Sequence, residues 1–197
     1  MLLLGSRLIH TPVMSLQTGT RLAQTTRPII DPANLRILAY EVDGPLLAEK
    51  PSFIRTADIR EYGRLGMIIN GNDDLTTLDE VIHIKKLYDL NFALLGLQVI
   101  DDQKRKLGKI SDYTLDTSDF VIKQLNVRRG FLKGITDTGL LINRSQIIEI
   151  NNTSVIVRSA SIKSVEPVIQ SLRGEFVNPF RTNKPRVENE AISTNQS

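Results

Sequence analysis

Apolar and polar residues alternate along much of this chain in short runs, the period of a strand with one face buried. In the second half, "LQVID" (97–101), "KISDYTL" (109–115) and "FVIKQLNV" (120–127) read this way, separated by polar turns at Asp102–Lys106 and "DTSD" (116–119). The clearest hairpin is "IIEINNTSVIV" (147–157). Its two apolar runs flank Asn151-Asn152, and Asn tolerates the positive φ of a two-residue turn. Gly63-Arg64 takes the same place in the first half, where Gly serves better. Asp31-Pro32 and Asp116-Thr117 open matching turns, since Asp bonds its own backbone two residues on. Expected turn positions are therefore Gly19, Asp31, Gly63, Gly108, Asp116, Asn151 and Asn152. Short strands with turn signals at this density predict an all-β chain, folded as a small barrel or sandwich. Closing a sheet also removes its exposed edges.

The pattern occurs twice. Shifted by 85 residues, Leu22, Ala23, Asp31, Ile37 and Val42 meet Leu107, Gly108, Asp116, Ile122 and Val127. Shifted by 88, Ile54, Ile59, Glu61 and Ile68 meet Ile142, Ile147, Glu149 and Ile156, and Met67 and Ile69 meet Val155 and Val157. Order is kept across almost a whole domain, which predicts an internal duplication. The reading gives a first module over 1–76, a connector over 77–91, a second module over 92–166 and a flexible polar tail over 167–197. "SVEPVIQSL" before the tail docks or frays. In the connector, Thr77-x-x-Glu80 has capping-box spacing, and Ile84, Leu87 and Tyr88 follow at helical intervals. The β-branched Val81, Ile82 and Ile84 keep an extended connector open. A single copy is small enough that its core is marginal. The two are expected to pack as an internal pseudo-dimer through like faces, in a monomer or a weak homo-oligomer.

"LLGLQVIDDQKRKLGKISDYTLDTSDFVIKQLNV" (94–127) and "LINRSQIIEINNTSVIV" (141–157) resemble the PRC-barrel family, with Gly96, Gly108, Asp116 and Ile147 at its usual Gly, Gly, Asp and apolar positions. The first copy, "PVMSLQTGTRLAQTTRPIIDPANLRILAYEV", departs from the pattern at Ala23, where the second Gly is usual. The resemblance covers most of residues 1–165 and implies two small β-barrels in tandem, used as adaptor modules without a chemistry of their own. One such barrel occurs in the H subunit of photosynthetic reaction centres. Another ends a ribosome-maturation factor, where it contacts a small-subunit ribosomal protein. This chain lacks the membrane helix of the former, and a second PRC-like copy replaces the distinct first domain of the latter. Fold likeness alone does not carry function across. The reading is a non-catalytic adaptor for a protein partner; the alternative is a ribosome- or RNA-associated factor.

Composition narrows the chemistry. With no Cys, the 197 residues exclude disulfides, thiolate metal sites and Cys nucleophiles. The apolar start, Leu2–Leu4, falls short of a signal core or a membrane span, so a cytoplasmic protein without a membrane partner is expected. His10 and His83 occupy unrelated repeat positions and read as packed or surface side chains. There is no G-x-S-x-G elbow, phosphate loop or dinucleotide fingerprint. Asp73-Asp74 and Asp101-Asp102 read as solvated turn residues, because strand neighbours point to opposite faces. Asn72, Asp73 and Asp74 lack the EF-hand pattern, and the sequons at Asn143, Asn151 and Asn152 carry no meaning in a cytosolic chain. No catalytic residue, cofactor or metal site is expected. Net charge is +3, with a pI near 9.2. The informative cations are Lys104, Arg105, Lys106, Lys109, Arg128, Arg129 and Lys133, a candidate patch for RNA phosphates or an acidic protein. Aromatic residues make up only 5%, which argues against stacking on single-stranded bases.

Overall fold

The structure, a computed structural model, describes residues 1–45, 47, 49–129 and 139–159. Strands in the first half are β1 (Leu2–Leu4), β2 (Pro12–Ser15), β3 (Arg21–Asp31), β4 (Arg36–Asp43), β5 (Ser52–Arg55), β6 (Glu61–Gly63), β7 (Gly66–Ile69) and β8 (Leu75–Thr77). Helix α1 (Ile82–Leu90) follows, then β9 (Gln98–Asp101), β10 (Lys106–Asp116), β11 (Val121–Arg128), β12 (Leu140–Asn143), β13 (Ile147–Ile150) and β14 (Ser154–Val157).

The two halves share one wiring. β2 pairs antiparallel with β3 and parallel with β7, β3 with β4, β4 with β5, and β6 with β7. β9 pairs antiparallel with β10 and parallel with β14, β10 with β11, β11 with β12, and β13 with β14. Register matches as well: Ile30 faces Ile37 where Leu115 faces Ile122, and Thr25 faces Val42 where Ile110 faces Val127. Bulges coincide. The β3–β4 ladder shifts at Thr25/Arg27 and Ile29/Ile30, and the β10–β11 ladder at Ile110/Asp112 and Thr114/Leu115. Bulges set local twist and side-chain direction, so their agreement extends the correspondence below the level of strand order.

Alternation sends Val13, Ile37, Ile54, Met67 and Ile69, and their counterparts Val99, Ile122, Ile142, Val155 and Val157, into one continuous core. All ten are at least 99% buried, each contributing about 1.5–3 kcal/mol by leaving water. Both halves fall in one compact unit, Met1–Glu166.

The halves meet through equivalent residues. Val121 on β11 is the ladder partner of Arg36 on β4, one repeat away. Ile37 N–H donates to the Phe120 carbonyl at 2.9 Å, and Ile122 N–H donates to the Leu35 carbonyl at 2.8 Å. Each bond is the repeat image of the other, as in an isologous contact. Leu35 (φ 46°) and Phe120 (φ 52°) are both left-handed, unusual for bulky residues, and both are buried. The Phe120 ring packs edge-on against Tyr40, centroids 6.4 Å apart. Each half also carries the other's leading segment. β1 pairs with β10, placing Leu3 opposite Leu115, while α1 packs on the outer face of β3, β4 and β5. There Ile84 meets Ile29, Ala39 and Phe53, and Phe53 meets Tyr88 edge-on at 5.4 Å. The second-half counterparts, Thr114, Gln124 and the exposed Leu141, lack that buried apolar face.

The all-β expectation holds, with one helix added. The finer expectation of two closed barrels does not describe the ladders. They form a single 14-stranded mixed sheet, because the β4–β11 bridge joins the halves. Among the described residues β6 pairs only with β7, and a 3-10 turn, Thr56–Asp58, spans from β5 to β6 where a closing ladder would run; Arg144–Gln146 does the same between β12 and β13. The connector is strand and helix in succession. Its capping pair forms only in part: Glu80 accepts the Thr77 N–H at 2.7 Å, but the helix starts two residues beyond Glu80 with Val81 as its N-cap.

Several turn positions differ from the sequence reading. Asp31 and Asp116 each accept an N–H two residues on, from Ala33 and Ser118, as expected. Gly19 occupies its turn at φ 67°. Gly63 ends β6, so the two-residue turn is Arg64-Leu65. Asn151 and Asn152 have no positive φ; the loop is instead organised by the Asn151 carboxamide oxygen, which accepts the N–H groups of Thr153 and Ser154. Gly108 is a bulge inside β10 at φ 145°, where an added Cβ would lie 2.4 Å from the Arg128 carbonyl oxygen. In the first half the same crossing is relieved from the other strand: Ala23 is tolerated because Gly44 stands opposite, its missing Cβ 2.6 Å from the Leu22 carbonyl oxygen. The expected tail over 167–197 and "SVEPVIQSL" lie outside the described residues.

Candidate functional site

The predicted basic patch is brought together in part. Lys109 on β10 and Arg128 on β11 are direct ladder partners, Lys106 lies three residues before Lys109, and Arg129 follows Arg128. All four are exposed. Lys104, also exposed, sits left-handed (φ 63°) in the β9–β10 turn. Arg105 belongs to the turn's interior bonding instead. Its guanidinium donates to Asp101 Oδ2 at 2.6 Å, and Asp101 Oδ1 accepts the N–H groups of Gln103 and Arg105. Asp101 is buried, which by itself would raise its pKa; those N–H donors and the Arg105 cation outweigh burial and hold it below the usual carboxylate value. The first-half counterpart, Ser15, organises its own turn by accepting the Thr18 N–H. Asp102 accepts from Ser159. Lys133 lies outside the described residues.

A second feature was not anticipated. At the other end of β11, where the halves meet, a cleft of ≈ 620 Å³ is walled by both halves and α1. Leu38, Ile59, Ile84 and Phe120 supply apolar surface, and Arg36, Arg55 and Arg60 bring guanidinium groups to it. A smaller depression shares Arg36, Leu38 and His83 with this cleft and extends to Arg144, so the two form one groove along the junction. Arg36 donates Nε–H to the Asp119 carbonyl at 2.9 Å, and Arg144 donates across the junction to the Asn34 carbonyl. Asn34 and Asp119 are repeat counterparts, so each half's turn is gripped by an arginine of the other. Arg60 bonds Asn70 through Nε at 3.0 Å. The Nη groups of Arg36 and Arg60 have no partner among the described residues. Arg55 is committed to Asp58 by two bonds, of 2.5 and 2.9 Å.

Carboxylates at the groove are largely in use. Asp31 caps its own turn. Asp119 accepts from Lys123 and from the Val121 N–H; burial pushes its pKa up, and these donors bring it below the usual value. Glu61 is exposed. His83 lines the groove exposed, and His10 is an exposed left-handed residue (φ 58°) far from it in sequence. Asp73 and Asp74 lie in a 3-10 turn, where Asp74 accepts the Asn70 N–H. No cluster of three or more His, Asp or Glu able to hold a metal is present among the described residues, and no described helix is long and apolar enough to cross a membrane.

The groove was missed because its cations are scattered from Arg36 to Arg144, with no local spacing to betray them. The available signal was the duplication itself, which predicts a seam between like faces. Compared with known proteins, the chain matches no family model and no curated protein.

Proposed function

We propose that this chain is a non-catalytic adaptor built of two PRC-barrel-like modules, which holds an acidic segment of a protein partner in the groove at their junction. What supports the reading is the groove's make-up. Apolar side chains line it, and beside them stand Arg36 and Arg60, whose Nη groups have no partner among the described residues. Protein interfaces combine an apolar anchor with directional polar contacts at the rim, and Arg is enriched there because its fork matches a carboxylate. Both halves are needed to build the groove, which gives the duplication a use. In this reading each open six-strand half serves as a barrel-like module, completed by its 3-10 turn.

The test is photo-crosslinking in the native cell from a reactive residue at Tyr62 or His83, with the captured partner then produced and titrated against the full chain. One partner should crosslink from both positions, and Arg36→Glu with Arg60→Glu should abolish its binding. Capture that survives both reversals contradicts the proposal. The ribosome- or RNA-associated alternative rests on a different surface, the cations at the far end of β11.

A further inference from the structure

The duplication supplies an internal control for the basic patch. Residues Arg21, Gln24, Asp43 and Gly44 of the first half occupy the positions of Lys106, Lys109, Arg128 and Arg129, in the same ladder register and beside the same bulge. First-half charges sum to zero, Arg21 against Asp43. They are also internally bonded: Arg21 donates to Gln24 at 2.8 Å, and Lys50 pairs with Asp43 at 2.6 Å. The second-half set sums to +4 from its four cations. Backbone geometry at this site therefore does not demand positive charge.

Surroundings narrow the ligand. The outward row through Lys109 reads Ser154, Gln98, Lys109, Arg128, polar and without an aromatic ring, while the adjacent row through Lys106 continues into the half-buried Ile100 and Ile156. A protein partner needs a desolvated apolar centre, and single-stranded bases need rings to stack on. No ring stands in either row, and the two half-buried isoleucines fall short of the desolvated cluster that anchors a protein interface. Exposed lysines beside Ser and Gln suit phosphate oxygens, which take point charges and hydrogen bonds without regard to sequence. From this we infer that the second half carries a binding face for the phosphate backbone of a double-stranded nucleic acid, centred on Lys106, Lys109, Arg128 and Arg129. It lies at the opposite end of β11 from the groove and acts independently of it.

The experiment is fluorescence anisotropy of labelled duplex RNA and duplex DNA with the full chain, titrated across salt. Four phosphate contacts predict a slope of log K against log salt of about −3.6, or roughly 150-fold weaker binding between about 50 and 200 mM salt. Lys106→Glu with Lys109→Glu should weaken binding roughly 100-fold at about 50 mM salt and at least halve the slope. Arg21→Glu with Lys50→Glu changes net charge equally on the first half and should shift affinity less than about 2-fold. The melting temperature of each double variant is read alongside, and a larger fall for Lys106→Glu with Lys109→Glu than for the first-half pair would assign the loss to folding and overturn the proposal. Equal losses in both double variants would reduce the effect to net charge and overturn the proposal. So would binding of poly-glutamate with no binding of either duplex, which would assign the face to an acidic protein.

Discussion

Gly108→Ala probes the point where fold and basic face depend on each other. Gly108 sits at φ 145°, a conformation that L residues adopt at a strain of about 1–3 kcal/mol. The new Cβ would lie 2.4 Å from the Arg128 carbonyl oxygen and 2.9 Å from Val127 Cγ1. The nearest obstacle is backbone, so the β10–β11 ladder must part, adding about 1–3 kcal/mol as other overpacked sites do. The sum, about 2–6 kcal/mol, is a large share of the roughly 5–15 kcal/mol that holds a domain together. Two controls come from the first half. Ala23→Gly removes a methyl at the equivalent bulge and should lose only about 0.5–1 kcal/mol, through backbone entropy. Gly44→Ala should behave more like Gly108→Ala, since its Cβ would lie 2.6 Å from the Leu22 carbonyl oxygen, but without the φ term. Urea unfolding of the full chain reads all three, with the midpoint shift converted at constant m. A Gly108→Ala loss under about 1 kcal/mol, or no greater than that of Ala23→Gly, refutes the reasoning.

Other consequences can be checked alongside. The Tyr40 hydroxyl is fully buried without a hydrogen-bond partner among the described residues, so Tyr40→Phe should stabilise by about 1 kcal/mol in urea unfolding, whereas a loss of that size would reveal a partner. Phe53→Ala should remove about 3–5 kcal/mol of packing beneath α1 and speed hydrogen exchange from Ile84 to Leu90 while sparing β10; uniform acceleration would contradict the separate outer cluster. Asp101 has a folded pKa below its ordinary 3.8, so its contribution is complete above about pH 4 and fades as pH falls toward the folded value. Asp101→Asn should therefore flatten the acid limb of the stability curve; an unchanged limb would contradict the assigned bonding.

Legibility followed the range of the interactions involved. Asp31 and Asp116 were readable because the bond each makes closes two residues away. The long alternating strands β3, β4, β10 and β11 were readable because period two over many positions has one explanation. Leu35 and Phe120 gave no warning of their left-handed backbones, since apolar residues adopt φ > 0 only when tertiary packing imposes it. The three-residue strands β1 and β8 have partners fixed by distant residues, Thr114–Asp116 and Ser52–Ile54. Gly108 was readable as a necessary glycine but not as a bulge, because a turn and a bulge can use the same residue. In the patch, charge was visible and pairing was not: Arg105 went to Asp101 because that carboxylate is buried and must be compensated.

The groove exists only because the two halves meet strand start to strand start. Hydrogen exchange on the full chain, read at single amides by NMR, addresses it directly. The Ile37 and Ile122 amides, which bond to Phe120 and Leu35 across the seam, should be as protected as the central β3–β4 and β10–β11 amides and should be lost with them in global unfolding. Fast exchange at both, with the ladders of each half still protected, would show halves that do not meet there.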